Sequence, residues 1–109
     1  SYVDSTWNYA KIYVYRPSNS GLLVSYNLHL NDSIICNVKA KSKYEIILNK
    51  EGLHTLWART ETKTEIPINI EFGREYYLRC SVKMGAFVGR PGMILIDPMF
   101  GKNEYNNTK

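Results

Sequence analysis

Apolar and polar residues alternate with a period of two over most of the chain. Turn residues interrupt the alternation at short intervals, which predicts half-buried strands rather than helices. Ala10, Ile12 and Val14 share one face of the first segment and Lys11, Tyr13 and Tyr15 the other, and Arg16-Pro17-Ser18-Asn19-Ser20-Gly21 closes it. A second strand from Leu23 to Leu30 places Val24, Tyr26, Leu28 and Leu30 together, and Asn31-Asp32 turns it into Ser33 to Val38. Lys43 to Leu48 alternates again with Tyr44, Ile46 and Leu48 inward, and Asn49-Lys50-Glu51-Gly52 leads into a return strand from Leu53 to Thr60. Gly52 supplies positive φ for that turn.

Ile66, Ile68, Ile70 and Phe72 line one side of the next segment, where Pro67 lacks a ladder donor and marks an edge strand. Tyr76, Leu78, Cys80 and Val82 then alternate against Tyr77, Arg79, Ser81 and Lys83. A glycine-rich loop and Met93 to Asp97 complete the count. About seven to eight short strands cannot bury their apolar faces in one flat sheet. The predicted fold is therefore an all-β, two-sheet antiparallel sandwich of prealbumin-like or immunoglobulin-like type, with a closed barrel as the alternative. Residues 1–109 form a single domain, with 1–9 as an N-terminal extension and 98–109 as a polar, Asn-rich C-terminal tail expected to fray.

Three stretches resemble a family of small bacterial proteins, many of them lipoproteins, known as domain of unknown function twenty-eight forty-six. Ala10-Lys11-Ile12-Tyr13-Val14-Tyr15-Arg16-Pro17 is similar to its first strand, and Glu51-Gly52-Leu53-His54-Thr55-Leu56-Trp57-Ala58-Arg59-Thr60-Glu61 to its central hairpin return. Gly73-Arg74-Glu75-Tyr76-Tyr77-Leu78-Arg79-Cys80, leading into Met84-Gly85-Ala86-Phe87-Val88-Gly89-Arg90-Pro91, is the most specific of the three. The likeness runs from about Ala10 to Asp97, and Gly52-Leu53-His54-Thr55-Leu56 is also similar to PEGA-type modules of bacterial envelope proteins. It implies a sandwich of short strands in a bacterial cell envelope, periplasmic, surface-bound or secreted. It implies no activity, so no catalytic residue is carried over. Glu51-Gly52 stands where the family usually has Pro-Gly, a difference confined to the turn.

Composition narrows this picture. At 109 residues, 44% hydrophobic and 22% charged, the chain is an ordinary globular domain. Its formal charge of +4 is spread along the chain rather than gathered in blocks. Lys39-Ala40-Lys41-Ser42-Lys43 is the densest basic stretch and lacks the planar arginine fork, so it reads as a solvated turn and not a nucleic-acid footprint. The chain starts at Ser1 without methionine, which suggests a processed start, and no apolar run approaches the ~18–20 residues that span a bilayer. The expected membrane link is a lipid anchor upstream.

Cys36 and Cys80 are the only cysteines. An exported domain permits a disulfide between them worth ~3–4 kcal/mol in the chain-entropy model. The alternative is two buried thiols acting as small apolar fillers. His29 and His54 stand without the spacing of a zinc site, and His54 is expected to donate to a backbone carbonyl from the face of Leu56 and Ala58. No nucleophile-elbow or paired-carboxylate pattern points to an enzyme, and no cofactor is implied.

Binding chemistry is the better lead. Tyr13, Tyr15, Trp57 and Tyr77 fall on outward strand positions near Arg59 and Arg79, where rings can stack on sugars, anchor a protein, or simply pair across strands. Phe87 and Arg90 sit in a loop with Gly85, Gly89 and Gly92, stiffened by Pro91. The reading is a non-enzymatic envelope module for a protein or glycan partner. The alternative is a structural accessory domain with no ligand of its own.

Overall fold

A computed structural model describes residues 3, 4 and 6–108. Eight strands and one helix follow in chain order: β1 (Ala10–Tyr15), β2 (Tyr26–Leu30), β3 (Ser33–Val38), β4 (Lys43–Leu48), β5 (Gly52–Arg59), β6 (Lys63–Ile70), β7 (Glu75–Lys83), β8 (Arg90–Ile96) and α1 (Pro98–Asn107). The strands form two four-stranded sheets, ordered β4-β1-β7-β8 and β3-β2-β5-β6. Ile12, Val14, Leu78 and Cys80 of the first sheet join Leu28, Leu56, Ile68 and Ile70 of the second in one buried cluster. The fold is the β-sandwich that the period-two alternation predicts.

Four details depart from the sequence reading. First, β1 and β7 pair in parallel, so the first sheet is mixed and not wholly antiparallel. Between β1 and β7 the chain crosses to the second sheet for β2 and β3, returns to add β4 beside β1, and crosses again for β5 and β6, so no hairpin dictates the direction of the β1–β7 pair. Second, β2 starts at Tyr26 and not at Leu23. Gly21, at φ +69°, turns the chain, and the Val24 amide closes the turn by donating to Gly21 O at 2.8 Å. Third, the β2–β3 register shifts between Leu28 and His29: Leu28 faces Cys36, whereas His29 faces Ile34. The extra residue opposite that step separates Cys36 from Ile34, and Ile34 is exposed while Cys36 packs on the core. Cys36 and Cys80 lie in opposite sheets and are separate thiols.

The fourth departure is the C-terminal tail, which forms α1 in place of a frayed end. The Asp97 carboxylate caps the helix by accepting from the Met99 amide at 2.9 Å, and Pro98 occupies the first turn, where its missing N–H costs nothing. Gly101 is buried on the Tyr77 ring so closely that a methyl group there would overlap it. Thr108 is also buried, and its hydroxyl donates to Glu104 O at 2.9 Å. Lys109, like Ser1, Tyr2 and Ser5 of the extension, lies outside the described residues. The rest of the extension is tied down: Val3 bridges Arg74, and the Asp4 amide donates to Gly73 O at 2.8 Å. Gly73 holds φ +87° there, with the Asp4 backbone against it.

Tucking tyrosines and a thiol into this sandwich links its stability to alkaline pH. Burial pushes the Tyr77 phenol and the Cys80 thiol each up to about 12, and raises Tyr13, Tyr15 and Tyr26 as well. With folded values above unfolded ones, the native state holds more protons. The stabilisation is therefore complete below the unfolded values, near ~8.5 for the thiol and ~10 for the phenols, and is lost as pH rises through the folded ones. Tyrosinate absorbance and loss of the sheet dichroism should rise together between about pH 10 and 12. Ionisation of all the tyrosines with the sheet signal intact would contradict this burial.

Candidate functional site

Four connections meet at one end of the sandwich: residues 16–25, 39–42, 60–62 and 84–89. The first is held by Arg16, which is fully buried although sequence alone places it at the mouth of a loop. Its Nη1 donates to Val24 O at 2.7 Å and Val38 O at 3.3 Å, and its Nη2 to Gly21 O at 2.9 Å and Ser20 O at 3.2 Å. Its Nε is buried without a partner among the described residues. The Arg16 backbone joins the second connection, with its amide donating to Ser42 O and its carbonyl accepting from Lys41, both at 2.9 Å.

The third and fourth connections are clasped by Glu61. Its carboxylate accepts the amides of Ala86 at 2.7 Å, Phe87 at 2.8 Å and Val88 at 3.3 Å, and pairs with Arg90 Nε at 3.6 Å. The Phe87 amide above all, then those of Val88 and Ala86 with the Arg90 charge, hold this carboxyl below the usual carboxylate range. Gly85 and Gly89 are required by proximity and not by positive φ. A side chain on Gly85 would strike the Glu61 carboxylate and Val88 O, and one on Gly89 would strike Val82.

This framework leaves apolar side chains in solvent. Phe87 is 95% exposed, Met84 94% and Leu23 98%, with Leu22 and Val88 also exposed. Between the loops lies a groove of about 430 Å³, lined by Ser20, Gly21, Val24, Met84, Phe87 and Val88 among others. Phe87 and Arg90, placed in one loop by the sequence reading, are parted: Phe87 tips the loop of residues 84–89, whereas Arg90 opens β8 and serves the Glu61 clasp. Leu22, Leu23 and Glu61 were not legible as site residues. The alternation assigns Leu23 to a strand and Leu22 to no element, and a lone glutamate in a turn carries no signal of its distant amide partners.

The outward aromatic set is divided and covered. Tyr13, Tyr15, Tyr77 and Arg79 come together on the first sheet, but beneath α1. Tyr13 stacks on Tyr77 at 4.7 Å, and Tyr105 meets the Tyr13 and Tyr15 rings edge-on at 5.0 and 6.0 Å. Glu104 accepts from Tyr15 Oη at 2.6 Å and from Arg79 Nη1 at 2.9 Å. Tyr15 and Tyr77 are consequently buried, contrary to the outward placement expected of them. Trp57 lies on the other sheet, stacked on His29 at 3.8 Å with Lys63 Nζ 4.6 Å above it, and its Nε1 donates to Asn31 O at 2.7 Å. Arg59 is exposed at the end of β5. His54 takes the role expected of it: the Asn31 amide donates to Nδ1 at 2.8 Å, which leaves Nε2–H to donate to Glu51 O at 3.0 Å.

Arg16 and Glu61 should respond differently to removal. Arg16→Ala removes a donor from four carbonyls, of which Gly21 O keeps the Val24 amide, and empties a buried site, so it should lower unfolding stability by about 2–4 kcal/mol, measured by denaturant titration. Arg16→Lys should recover only part, because an ammonium cannot reproduce the planar fork. Glu61→Ala should leave the unfolding midpoint nearly unchanged but accelerate amide hydrogen exchange at Ala86 and Phe87. In the wild type the clasp is complete above the unfolded carboxyl range near ~4.3 and should loosen as pH falls through the depressed folded value. Equal exchange at these amides in variant and wild type would show that Glu61 does not hold the loop.

No family model, curated protein or solved structure matches the chain, so the reading of this site rests on its own residues.

Proposed function

We propose that the domain is a non-enzymatic binding module of a bacterial cell envelope that engages its partner through the loop end of the sandwich. The observation that carries this reading is the presentation of Leu23, Met84 and Phe87, almost wholly exposed, on loops fixed by Arg16 and Glu61. Exposed apolar groups raise the free energy of the isolated domain in water, and fixing them beforehand reduces the ordering cost of association. The envelope setting rests on the family resemblance. Glycan stacking on Tyr13, Tyr15 and Tyr77 loses support, because the chain's own helix occupies those rings.

That occupied face is also the observation that favours the second reading, a structural accessory domain whose aromatic surface serves only its own packing. The readings part on a Met84→Ser, Phe87→Ser double variant. As a binding surface, the loop should lose retention of envelope-extract components or glycan-array ligands while the thermal midpoint stays within the small range typical of surface substitutions, about 0.5 kcal/mol each. In an accessory domain the variant should retain whatever the wild type retains. A loss of ~2–4 kcal/mol with binding intact in the folded fraction would make the loop structural.

A further inference from the structure

The strand topology sorts charges that are scattered in the sequence. Alternating strand directions bring Lys39, Lys41 and Lys43 to the loop end through the β3–β4 connection, Arg59 and Lys63 through the β5–β6 turn, and Lys83 and Arg90 through the β7–β8 loop. All seven are exposed. Glu61 is the only acidic residue in the four connections there, and the Phe87 loop and Arg90 engage it. Glu45 and Glu65 lie two residues inside their strands, paired with Lys11 at 2.9 Å and Lys63 at 3.3 Å. The opposite end carries Asp32, Glu51, Glu71, Glu75 and Asp97, with Asp4 against its Gly73 turn, facing Lys50, Arg74 and Lys11. The domain is an electrostatic dipole whose positive pole carries its three most exposed apolar side chains, Leu23, Met84 and Phe87, while Leu53, Met99 and Phe100 are exposed to a lesser degree toward the other end.

We propose that the loop end docks on an anionic lipid bilayer surface, with Leu23, Met84 and Phe87 entering the interface and the surrounding cations facing the headgroups. This rests on the reading of the loop end as the binding surface and names the partner it fits. Three features select a lipid surface. The apolar side chains are 94–98% exposed, so even where Met84 and Phe87 border the loop-end groove they stand in solvent and do not form the packed, desolvated pocket in which protein hot spots sit. Five of the seven cations are lysines, which suit delocalised attraction to a charged surface better than the bidentate contacts that arginine forks make with individual phosphates. The acidic pole is at the other end, so a negatively charged plane both attracts and orients the domain, over a Debye length of ~10 Å at ~0.1 M salt. Apolar insertion with peripheral cations is how interfacial segments bind membranes without spanning them.

The test uses the full chain with vesicles of phosphatidylcholine alone and of phosphatidylcholine containing about 30 mol% phosphatidylserine. Wild-type protein should sediment with the anionic vesicles, and the Met84→Ser, Phe87→Ser variant should partition at least about tenfold more weakly. Raising salt from about 0.1 to 0.5 M should weaken wild-type partition to a comparable degree. Phe87→Trp places a reporter at an exposed tip, and its emission should shift to the blue on the anionic vesicles. Equal partition on the two vesicle types, absence of partition, or bound Phe87→Trp with unshifted emission would each overturn the proposal. So would salt-sensitive oligonucleotide binding in place of vesicle binding. If vesicles fail but the double variant still loses retention of a soluble envelope component, the lipid assignment falls and the loop-end reading stands. If the variant matches wild type in both assays, both fall.

Discussion

The Arg16 guanidinium holds the loop end together from within. Four backbone carbonyls, three of them from Ser20, Gly21 and Val24, converge on its two terminal nitrogens, and the fourth belongs to Val38 at the end of β3. Buried carbonyls need donors, and a connection this irregular has no ladder to supply them. An arginine satisfies several at once with a planar fork that stays charged even when fully buried. The bonded partners are dipoles and not a carboxylate, so the clamp sets the course of the chain without placing a compensating acid in the core. Residues 22 and 23 protrude because the chain on either side of them is held from the inside.

A second constraint decides which surfaces remain open. The first sheet puts Tyr13, Tyr15 and Tyr77 on its outer face, an apolar area that water would leave unfavourably exposed. Helix α1 covers it with little apolar surface of its own. Gly101 allows close approach, Tyr105 contributes ring edges, and Glu104 links a phenol to Arg79. Once that face is covered, Leu23, Met84 and Phe87 are the most exposed large apolar side chains among the described residues, all at the loop end, ahead of Met99, Leu53 and Phe100.

Much of the fold was legible because a two-residue period reports directly on faces. Ile12 and Val14, Tyr44 and Leu48, Leu56 and Ala58, and Leu78 and Cys80 all point inward as their alternation requires, and Pro67 marks the β6 edge. The misses share a physical cause, which is dependence on partners remote in sequence. Tyr15 and Tyr77 are buried by residues more than twenty positions away, and α1 escaped notice because its docking uses a glycine, a ring and a carboxylate rather than an apolar stripe. Leu23 was drawn into β2 by its neighbours, whereas Gly21 and the Arg16 clamp end the pairing at Tyr26. Of the candidate site, Phe87 was legible as the ring in a glycine-punctuated loop. Glu61 and the leucines were not.

The distribution of charge shows the same dependence at the scale of the whole domain. Read along the chain, lysines and glutamates look evenly mixed, and a modest excess of +4 suggests no particular surface. In an up-and-down arrangement, however, residues flanking alternate connections are carried to the same end, so an even spacing in sequence becomes segregation in space whenever charge sign follows connection parity. Here it does on balance: the turns after β3, β5 and β7 are flanked by lysines and arginines, and those after β2, β4 and β6 carry Asp32, Glu51, Glu71 and Glu75 against Lys50 and Arg74. Local pairing does not require this, since an exposed ion pair contributes only ~0–1 kcal/mol wherever it is placed. Folding stability alone would be served as well by mixing the signs at both ends, which makes the segregation, together with the bare apolar tips at its positive pole, a property of the surface and what it meets.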